Sequence, residues 1–201
     1  MADSRKLGFG PIAAPAGGVL VVFADDALRF GAKTRALLGS AADLVARAAK
    51  TERFTGKNGS AIDIVAPAGL KATRLIVIGT GKTDDGKSQE KPRDHVKLGG
   101  IAQGRIPASA TEAMVVLELS DGPLKADAAA DAALGASLRA YAFDRYKTKR
   151  KEGEEGPAKA RVTLAVADVA AARKALTDLL QTRTEGSANV LLFDPGLMAL
   201  A

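Results

Sequence analysis

Short apolar runs without alternation restrict the fold of this chain more than any other feature. Five of them lie between turn-forming residues, and several are apolar at every position: 19–23, 62–65, 75–78, 114–119 and 162–166. A strand with one wet face alternates apolar and polar side chains, whereas a strand that is apolar throughout is typical of a sheet covered on both faces. The runs therefore predict a parallel or mixed sheet with helices packed on either side.

Helical patterns separate the predicted strands. The first is a single apolar stripe at helical spacing, made by Leu37, Ala41, Leu44, Val45 and Ala48. A shorter candidate follows at 94–104, "DHVKLGGIAQG". Its Gly99 and Gly100 weaken a helix, but they also permit close approach to a neighbouring element.

Two longer helices are predicted further along the chain. The alanine-rich segment 124–143 carries apolar and acidic positions on opposite sides, with Leu134, Leu138 and Tyr141 expected on the buried face, and Asp127 and Asp131 on the wet one. Asp168 is placed to cap the last helix. The buried face of that helix is expected to consist of Val169, Ala172, Leu176, Leu179 and Leu180.

Strands that alternate with helices predict the α/β class. We expect a three-layer sandwich in which a mixed, mostly parallel sheet has helices on both faces. The polar segment 149–160 is expected to be an exposed connection before the last strand. These patterns predict one domain over residues 1–181, followed at 182–201 by a tail or the start of a linker.

The composition excludes several kinds of site. The chain has 201 residues and no cysteine, so neither a disulfide nor a thiolate metal site can form. His95 is the single histidine, and any Ser-His-Asp triad would have to use it. No secretory signal is recognisable, and no apolar run reaches the length of a membrane span. We expect a cytoplasmic protein that does not contact a membrane.

One segment raises the question of nucleotide binding, because the apolar run 75–78 leads into Gly79, Gly81 and Lys82, followed by a threonine. A phosphate-binding loop needs another glycine five residues before the Gly-Lys-Thr, and that position is Ile76. The third glycine of a dinucleotide fingerprint would fall on Asp84, whose carboxylate would repel a pyrophosphate. The segment is therefore interpreted as a buried strand that ends in a glycine-rich turn.

The charge balance raises the question of nucleic-acid binding. With 29 basic and 23 acidic residues the formal net charge is +6. The densest basic cluster is a possible phosphate-binding surface made by Lys147, Lys149, Arg150 and Lys151. Four acidic residues accompany the basic ones within 144–155, and a nucleic-acid surface usually concentrates its charge beside stacking aromatics. DNA is thus a possible partner with weak support.

Other candidate residues have an ordinary structural interpretation beside the functional one. His95 could transfer a proton or bind a metal, yet no partner lies at a suggestive spacing, which favours a surface or capping role. Neighbouring carboxylates at Asp84 and Asp85 could bind a cation, but in a turn they more often face water. The aromatic side chains at Tyr141, Phe143 and Tyr146 could stack on a ligand or anchor a helix end in the core.

Taken in order, four stretches resemble the amino-terminal domain of the leucyl aminopeptidase (cytosol aminopeptidase) family. They carry a Gly-Lys-x-Gly turn before a strand, the next strand with its glycine turn, the following helix, and an aromatic-rich helix end that leads to Phe-Asp-x-Tyr-Lys-Thr. The stretches are "ERFTGKNGSAIDIVAPAGL" (52–70), "RLIVIGTGK" (74–82), "DHVKLGGIAQG" (94–104) and "LRAYAFDRYKTKRK" (138–151).

This resemblance implies a macro-domain-like α/β fold and a cytoplasmic parent enzyme that removes amino-terminal residues from peptides. In the family, two divalent metals, manganese or zinc, are held by carboxylates and a lysine in a separate carboxy-terminal domain. Such paired metals polarise the peptide carbonyl and lower the pKa of a bridging water. Family members assemble as hexamers, so a homo-oligomer and a catalytic domain are the expected partners.

The catalytic signature of the family, Asn-Thr-Asp-Ala-Glu-Gly-Arg, does not occur in this sequence. The stretch "RTEGS" at 183–187 shares only its Glu-Gly. We therefore expect no catalytic, cofactor or metal-binding residue and no peptidase activity from this chain alone. Three hypotheses stay open: a non-catalytic domain of a metallo-aminopeptidase, a nucleic-acid-binding module, and a macro-type domain that binds a nucleotide ligand.

Overall fold

The computed structural model describes residues 7–82, 93–140 and 160–186, the last four of them by backbone only. Eight strands occur in these ranges: β1 (Leu7–Pro11), β2 (Val19–Ala24), β3 (Ala61–Val65), β4 (Arg74–Gly79), β5 (Glu112–Val116), β6 (Glu118–Leu119), β7 (Gly122–Pro123) and β8 (Arg161–Val166). The helices are α1 (Ala32–Leu38), α2 (Ala41–Thr51), α3 (His95–Arg105), α4 (Ala126–Ala140) and α5 (Val169–Gly186). None of the described helices is long and apolar enough to cross a bilayer.

Six strands form the main sheet, in the order β1-β8-β5-β2-β4-β3. All neighbours run parallel except β3, which pairs antiparallel with β4. At the centre, Val21 of β2 lies opposite Ile76 on one side and Val115 on the other. The remaining strands, β6 and β7, form a small antiparallel ribbon. The predicted mixed, mostly parallel sheet is confirmed.

Both faces of the central strands are covered, which explains why β2 is apolar throughout and β4 is buried from Leu75 onward. Alternate residues of β2 enter two separate cores: Val19, Val21 and Phe23 pack with α3, α4 and α5, whereas Leu20 and Val22 pack with α1 and α2. Because all six residues of β2 are buried, no position in it is left for a polar side chain. The chain is thus the three-layer α/β sandwich that the apolar runs predict.

Two glycines bring α3 and α4 into backbone contact. A Cβ atom at Gly99 of α3 would collide with the backbone of Ala132 in α4. A Cβ atom at Gly135 of α4 would collide in turn with the carbonyl of Val96 in α3. The predicted close approach at Gly99 is therefore confirmed, and the small side chains of the alanine-rich helix have a clear packing purpose.

Three details of the predicted elements are wrong. The stripe that begins at Leu37 belongs to two helices, because α1 ends at Leu38. Its C-cap residue Gly39 has a φ of +51°, which separates α1 from α2. The predicted strand 114–119 is divided at Leu117, where the chain leaves β5 and enters the ribbon. Leu138 was expected to be buried, but it is 46% exposed, since the packed face of α4 passes through Gly135 and Ala136 instead.

Two of the described helices are capped by the aspartate that directly precedes them. The carboxylate of Asp168 accepts a hydrogen bond from the N–H of Ala171 at 2.9 Å, which confirms the predicted cap of α5. Asp94 caps α3 in the same way, through the N–H of Lys97 at 2.9 Å.

The edge strand β1 was not predicted at all, because its sequence "LGFGP" has two glycines and a proline and few of the residues that favour strands.

Candidate functional site

The carboxyl ends of parallel strands are the usual ligand site of α/β sheets, above all where the strand order reverses. In this sheet the reversal lies at β2, because the chain passes from β2 to β3 and β4 on one side and then returns to β5 on the other. The segments that leave this edge are 25–29 after β2, 80–82 after β4 and 117–119 after β5. A ligand could bind at this edge only if polar groups of these segments are available to it.

Asp25, the first residue after β2, is completely buried. One carboxylate oxygen accepts hydrogen bonds from the N–H groups of Ala27 at 2.9 Å and Arg29 at 2.8 Å. The other accepts from Nε of Arg29 at 2.7 Å. The carboxylate therefore organises its own loop, in which Leu28 has a φ of +57°.

Glu118, just after β5, is the second buried carboxylate at this edge and is 1% exposed. It accepts hydrogen bonds from the N–H of Lys33 at 3.2 Å, from the N–H of Thr34 at 2.5 Å and from Oγ1 of Thr34 at 2.6 Å. These donors lie at the start of α1, whose N-cap residue Gly31 has no side chain to offer. Glu118 thus supplies the cap that this helix lacks, and its negative charge suits the helix N-terminus.

The glycine turn after β4 is packed against the Gly-Lys-x-Gly turn of an earlier segment. The N–H of Gly79 donates to the carbonyl of Ser60 at 2.8 Å, and the N–H of Gly81 donates to that of Gly56 at 2.9 Å. Between them, the N–H of Thr80 donates to the carbonyl of Ala24 at 2.8 Å. These N–H groups could receive a phosphate only if three backbone hydrogen bonds broke, so this is a structural turn.

Nor does the carboxyl edge offer a metal site in the described residues. Within 7–82, 93–140 and 160–182, no three His, Cys, Asp or Glu side chains converge as metal ligands. Asp25 and Glu118 each already accept three hydrogen bonds from protein donors. The two-metal chemistry implied by the family resemblance does not fit these described donor groups.

His95 is the first residue of α3 and is half-buried. Burial lowers the pKa of its imidazole, and the nearby charge of Asp131 in α4 opposes that effect. Arg93 lowers this pKa further, whereas Asp94 and Asp121 raise it. No described hydrogen bond joins His95 to a nucleophile, so the described structure gives it no partner for catalysis.

A prediction follows for the pH dependence of stability. Because the folded chain lowers the pKa of His95, the unfolded chain binds more protons between that lowered pKa and the ordinary value of about 6.5. Stability should therefore fall as the pH drops through this range. The variant His95→Gln should lose less stability than the parent chain between about pH 7.5 and 5.5. Urea unfolding across that range tests this, and parallel curves would contradict it.

Several other predicted candidates lie outside the described residues. These are Asp84, Asp85, Tyr141, Phe143, Tyr146 and the basic surface of Lys147, Lys149, Arg150 and Lys151. That surface stays a prediction.

An open groove of about 440 Å³ lies over α3 and α4. Three glycines, one isoleucine and three cations line it: Gly59, Gly100, Gly104, Ile101, Lys97, Arg105 and Arg139. Sequence reasoning missed this groove, because its residues come from a turn and two separate helices. The one signal in the sequence is the pair Gly100 and Gly104, which share a helix face at a spacing of four. We refer to it below as the basic groove.

Comparison with solved structures defines the class of fold. A macrodomain mutant of Oceanobacillus iheyensis matches with a TM-score of 0.58 and 13% identity, over 88% of this chain and 92% of that one. A tomato leucine aminopeptidase mutant matches with a TM-score of 0.61 and 20% identity, over 84% of this chain and 34% of that one. Identities this low establish the fold alone, and the fold is macro-domain-like.

Sequence comparison then establishes the family. Residues 19–150 match the model described as "Cytosol aminopeptidase family, N-terminal domain". A "Probable cytosol aminopeptidase" of Rhodopseudomonas palustris (strain TIE-1) is 52% identical over 177 residues. Its counterpart in a Bradyrhizobium species is 49% identical over 175 residues. The chain belongs to the cytosol aminopeptidase family and corresponds to its N-terminal domain, which confirms the resemblance found in the sequence.

The alignments cover most of this chain but only a minor part of each relative. The alignments cover 88% and 87% of this chain, but only 35% and 34% of the two relatives. The chain thus spans about a third of the length of the relatives that it matches, and their remaining two-thirds have no counterpart in it.

Proposed function

We propose that this chain is the non-catalytic N-terminal domain of a leucyl aminopeptidase-like metallo-exopeptidase, and that it serves to assemble and position the catalytic half. The observation that carries this proposal is the match of nearly the whole chain to about a third of its relatives. The parent enzyme would remove amino-terminal residues from peptides in the cytoplasm. Its substrate-binding and catalytic residues would lie in the two-thirds that this chain does not match.

The described residues support a scaffolding role. Both buried carboxylates at the ligand edge of the sheet are engaged by hydrogen bonds from their own chain. The single histidine lies half-buried at the start of α3 and has no catalytic partner among the described residues. Two divalent metals, manganese or zinc, would supply the activated water in the parent, bound outside this chain. What the described chain offers is a sheet with a packed apolar core on each face.

We further propose that the domain extends over residues 1–181 and that 182–201 begin the connection to the catalytic half. A folded domain on such a connection can contact neighbouring subunits and fix their relative positions. The assembly that we propose for the parent is a homo-hexamer.

Two alternative functions have less support. Nucleic-acid binding depends on the net charge of +6 and on the predicted surface of Lys147, Lys149, Arg150 and Lys151, which lies outside the described residues. Nucleotide binding depends on the macro-like fold alone, and fold does not determine ligand. The engaged turn at Gly79–Gly81 argues against a phosphate cradle at the edge of the sheet.

A domain exchange tests the proposed function. The matching N-terminal third of the Rhodopseudomonas palustris relative would be replaced by this chain, and the chimera assayed for release of leucine from leucine p-nitroanilide. We expect an oligomer of the parental size with metal-dependent activity within about tenfold of the parent. The control is the relative with its N-terminal third deleted, which should lose assembly and most activity. A deletion variant as active and as large as the parent would contradict a positioning role.

A further inference from the structure

The basic groove is the described site that the proposed function does not use. Of its seven described lining residues, three are cations, Lys97, Arg105 and Arg139, and none is acidic. Its cations come from both helices that meet at the glycine contact. A concentration of one charge in an open depression attracts ions of the opposite sign.

No described carboxylate forms a salt bridge with these cations. Three other arginines of the described chain do pair with acids: Arg29 with Asp25, Arg74 with Asp63 and Arg93 with Asp121. By contrast, Lys97, Arg105 and Arg139 form no salt bridge with any described residue. Arg105 donates from Nη2 to the carbonyl of Gly59 at 3.3 Å, which fixes one side of its guanidinium and leaves other donors.

Glycine keeps the groove open. A Cβ atom added at Gly104 would lie 3.0 Å from Nε of Arg139, and one added at Gly59 would lie 3.7 Å from Ile101. Side chains at these positions would fill the space between the cations. The floor is also rigid, because α3 and α4 are locked together where Gly99 and Gly135 meet the opposite backbone. The groove is thus preformed and does not have to be opened by a ligand.

The spacing of the cations indicates the shape of the anion. Lys97 and Arg105 are eight residues apart on α3, so their positions are separated by about 12 Å along the helix axis. A chain of linked anionic groups can span this distance, with one group near each of the two side chains. Guanidinium forks match phosphate oxygens in pairs, and none of the described residues that line the groove is an aromatic on which a nucleobase could stack.

We propose that the basic groove binds a short linear phosphate chain through Lys97, Arg105 and Arg139. The recognised chemistry is the run of phosphates, whether it comes as inorganic polyphosphate or as the tail of a nucleoside triphosphate. None of the described lining residues selects a base.

Titration calorimetry of the 201-residue chain with sodium tripolyphosphate, at about 0.15 M salt, tests this site. We expect saturable one-to-one binding that weakens at least tenfold in the double variant Arg105→Glu/Arg139→Glu. The matched control is Arg47→Glu/Lys50→Glu, which changes the net charge equally on α2, across the sheet from the groove. Its affinity should stay within about twofold. The milder pair Arg105→Gln/Arg139→Gln tests the site if the first variant does not fold.

ATP and a short DNA duplex complete the experiment. Equal affinity for ATP and tripolyphosphate would support recognition of the phosphate chain alone, and tighter binding of ATP would identify a nucleotide as the source of that chain. Absence of saturable binding to both would overturn the proposal. So would an equal loss of affinity in the groove variant and the α2 control, or binding of the duplex alone.

Discussion

Replacement of Gly135 by alanine is expected to lower the free energy of unfolding by about 2–4 kcal/mol. The added methyl group would collide with the carbonyl of Val96, which is backbone and cannot rotate away. Gly99→Ala should have a similar effect, since its Cβ would meet the backbone of Ala132. Both helices would have to separate, and the apolar contacts beneath them would loosen. Urea unfolding followed by circular dichroism measures the loss.

Gly100 provides the control on the same helix. A Cβ atom there has its nearest contact with the carbonyl oxygen of Gly135 at 3.4 Å, which is tight but allowed. Alanine favours helix over glycine by up to about 1 kcal/mol, so Gly100→Ala should be neutral or stabilising. If Gly135→Ala were as stable as the parent chain, the backbone contact between α3 and α4 would be wrong.

Removal of the Glu118 side chain is expected to cost about 3–5 kcal/mol. Glu118→Ala would leave the N–H groups of Lys33 and Thr34 and the hydroxyl of Thr34 without their acceptor, and it would leave a cavity in a buried site. Glu118→Gln should lower the free energy of unfolding by less, about 1–3 kcal/mol. Its amide oxygen can still accept a hydrogen bond, whereas its NH₂ group would face another donor. Thermal and urea unfolding of both variants measure these losses.

The exposed Glu112, at the start of β5, is the matched control for this experiment. Glu112→Ala removes the same side chain from the surface and should change stability by less than about 0.5 kcal/mol. Equal effects of the two substitutions would show that the cap of α1 by Glu118 contributes nothing.

The sequence was sufficient to predict the central strands and the layers. Continuous apolar runs such as 75–78 have one explanation in a folded chain, namely burial on both faces, and β4 has that burial. The edge strand β1 escaped prediction because its glycines and proline carry no such signal, and its place depends on pairing with β8, far away in sequence. Sequence patterns over a few residues predict local structure, whereas an edge strand such as β1 forms through contacts with residues far away in sequence.

The candidate sites were less predictable for a related reason. Glu118 and Thr34 are separated by 84 residues, so no motif spacing could connect them. The basic groove likewise joins Gly59 to two helices, and its cations only become a cluster once α3 and α4 have packed. Gln103 is a further example, since it is 2% exposed and its amide has no hydrogen-bond partner in the described structure. A polar residue in a helix gives no warning of such burial.

The most direct test of a non-catalytic domain is a peptidase assay of the pure 201-residue chain. Leucine p-nitroanilide would be incubated with the chain and with Mn²⁺ or Zn²⁺, beside metal-only blanks and the active chimera. We predict a rate no greater than that of the blanks in either metal. Turnover that requires metal and rises in proportion to the concentration of the chain would contradict the proposal, because the catalytic groups would then lie within these residues.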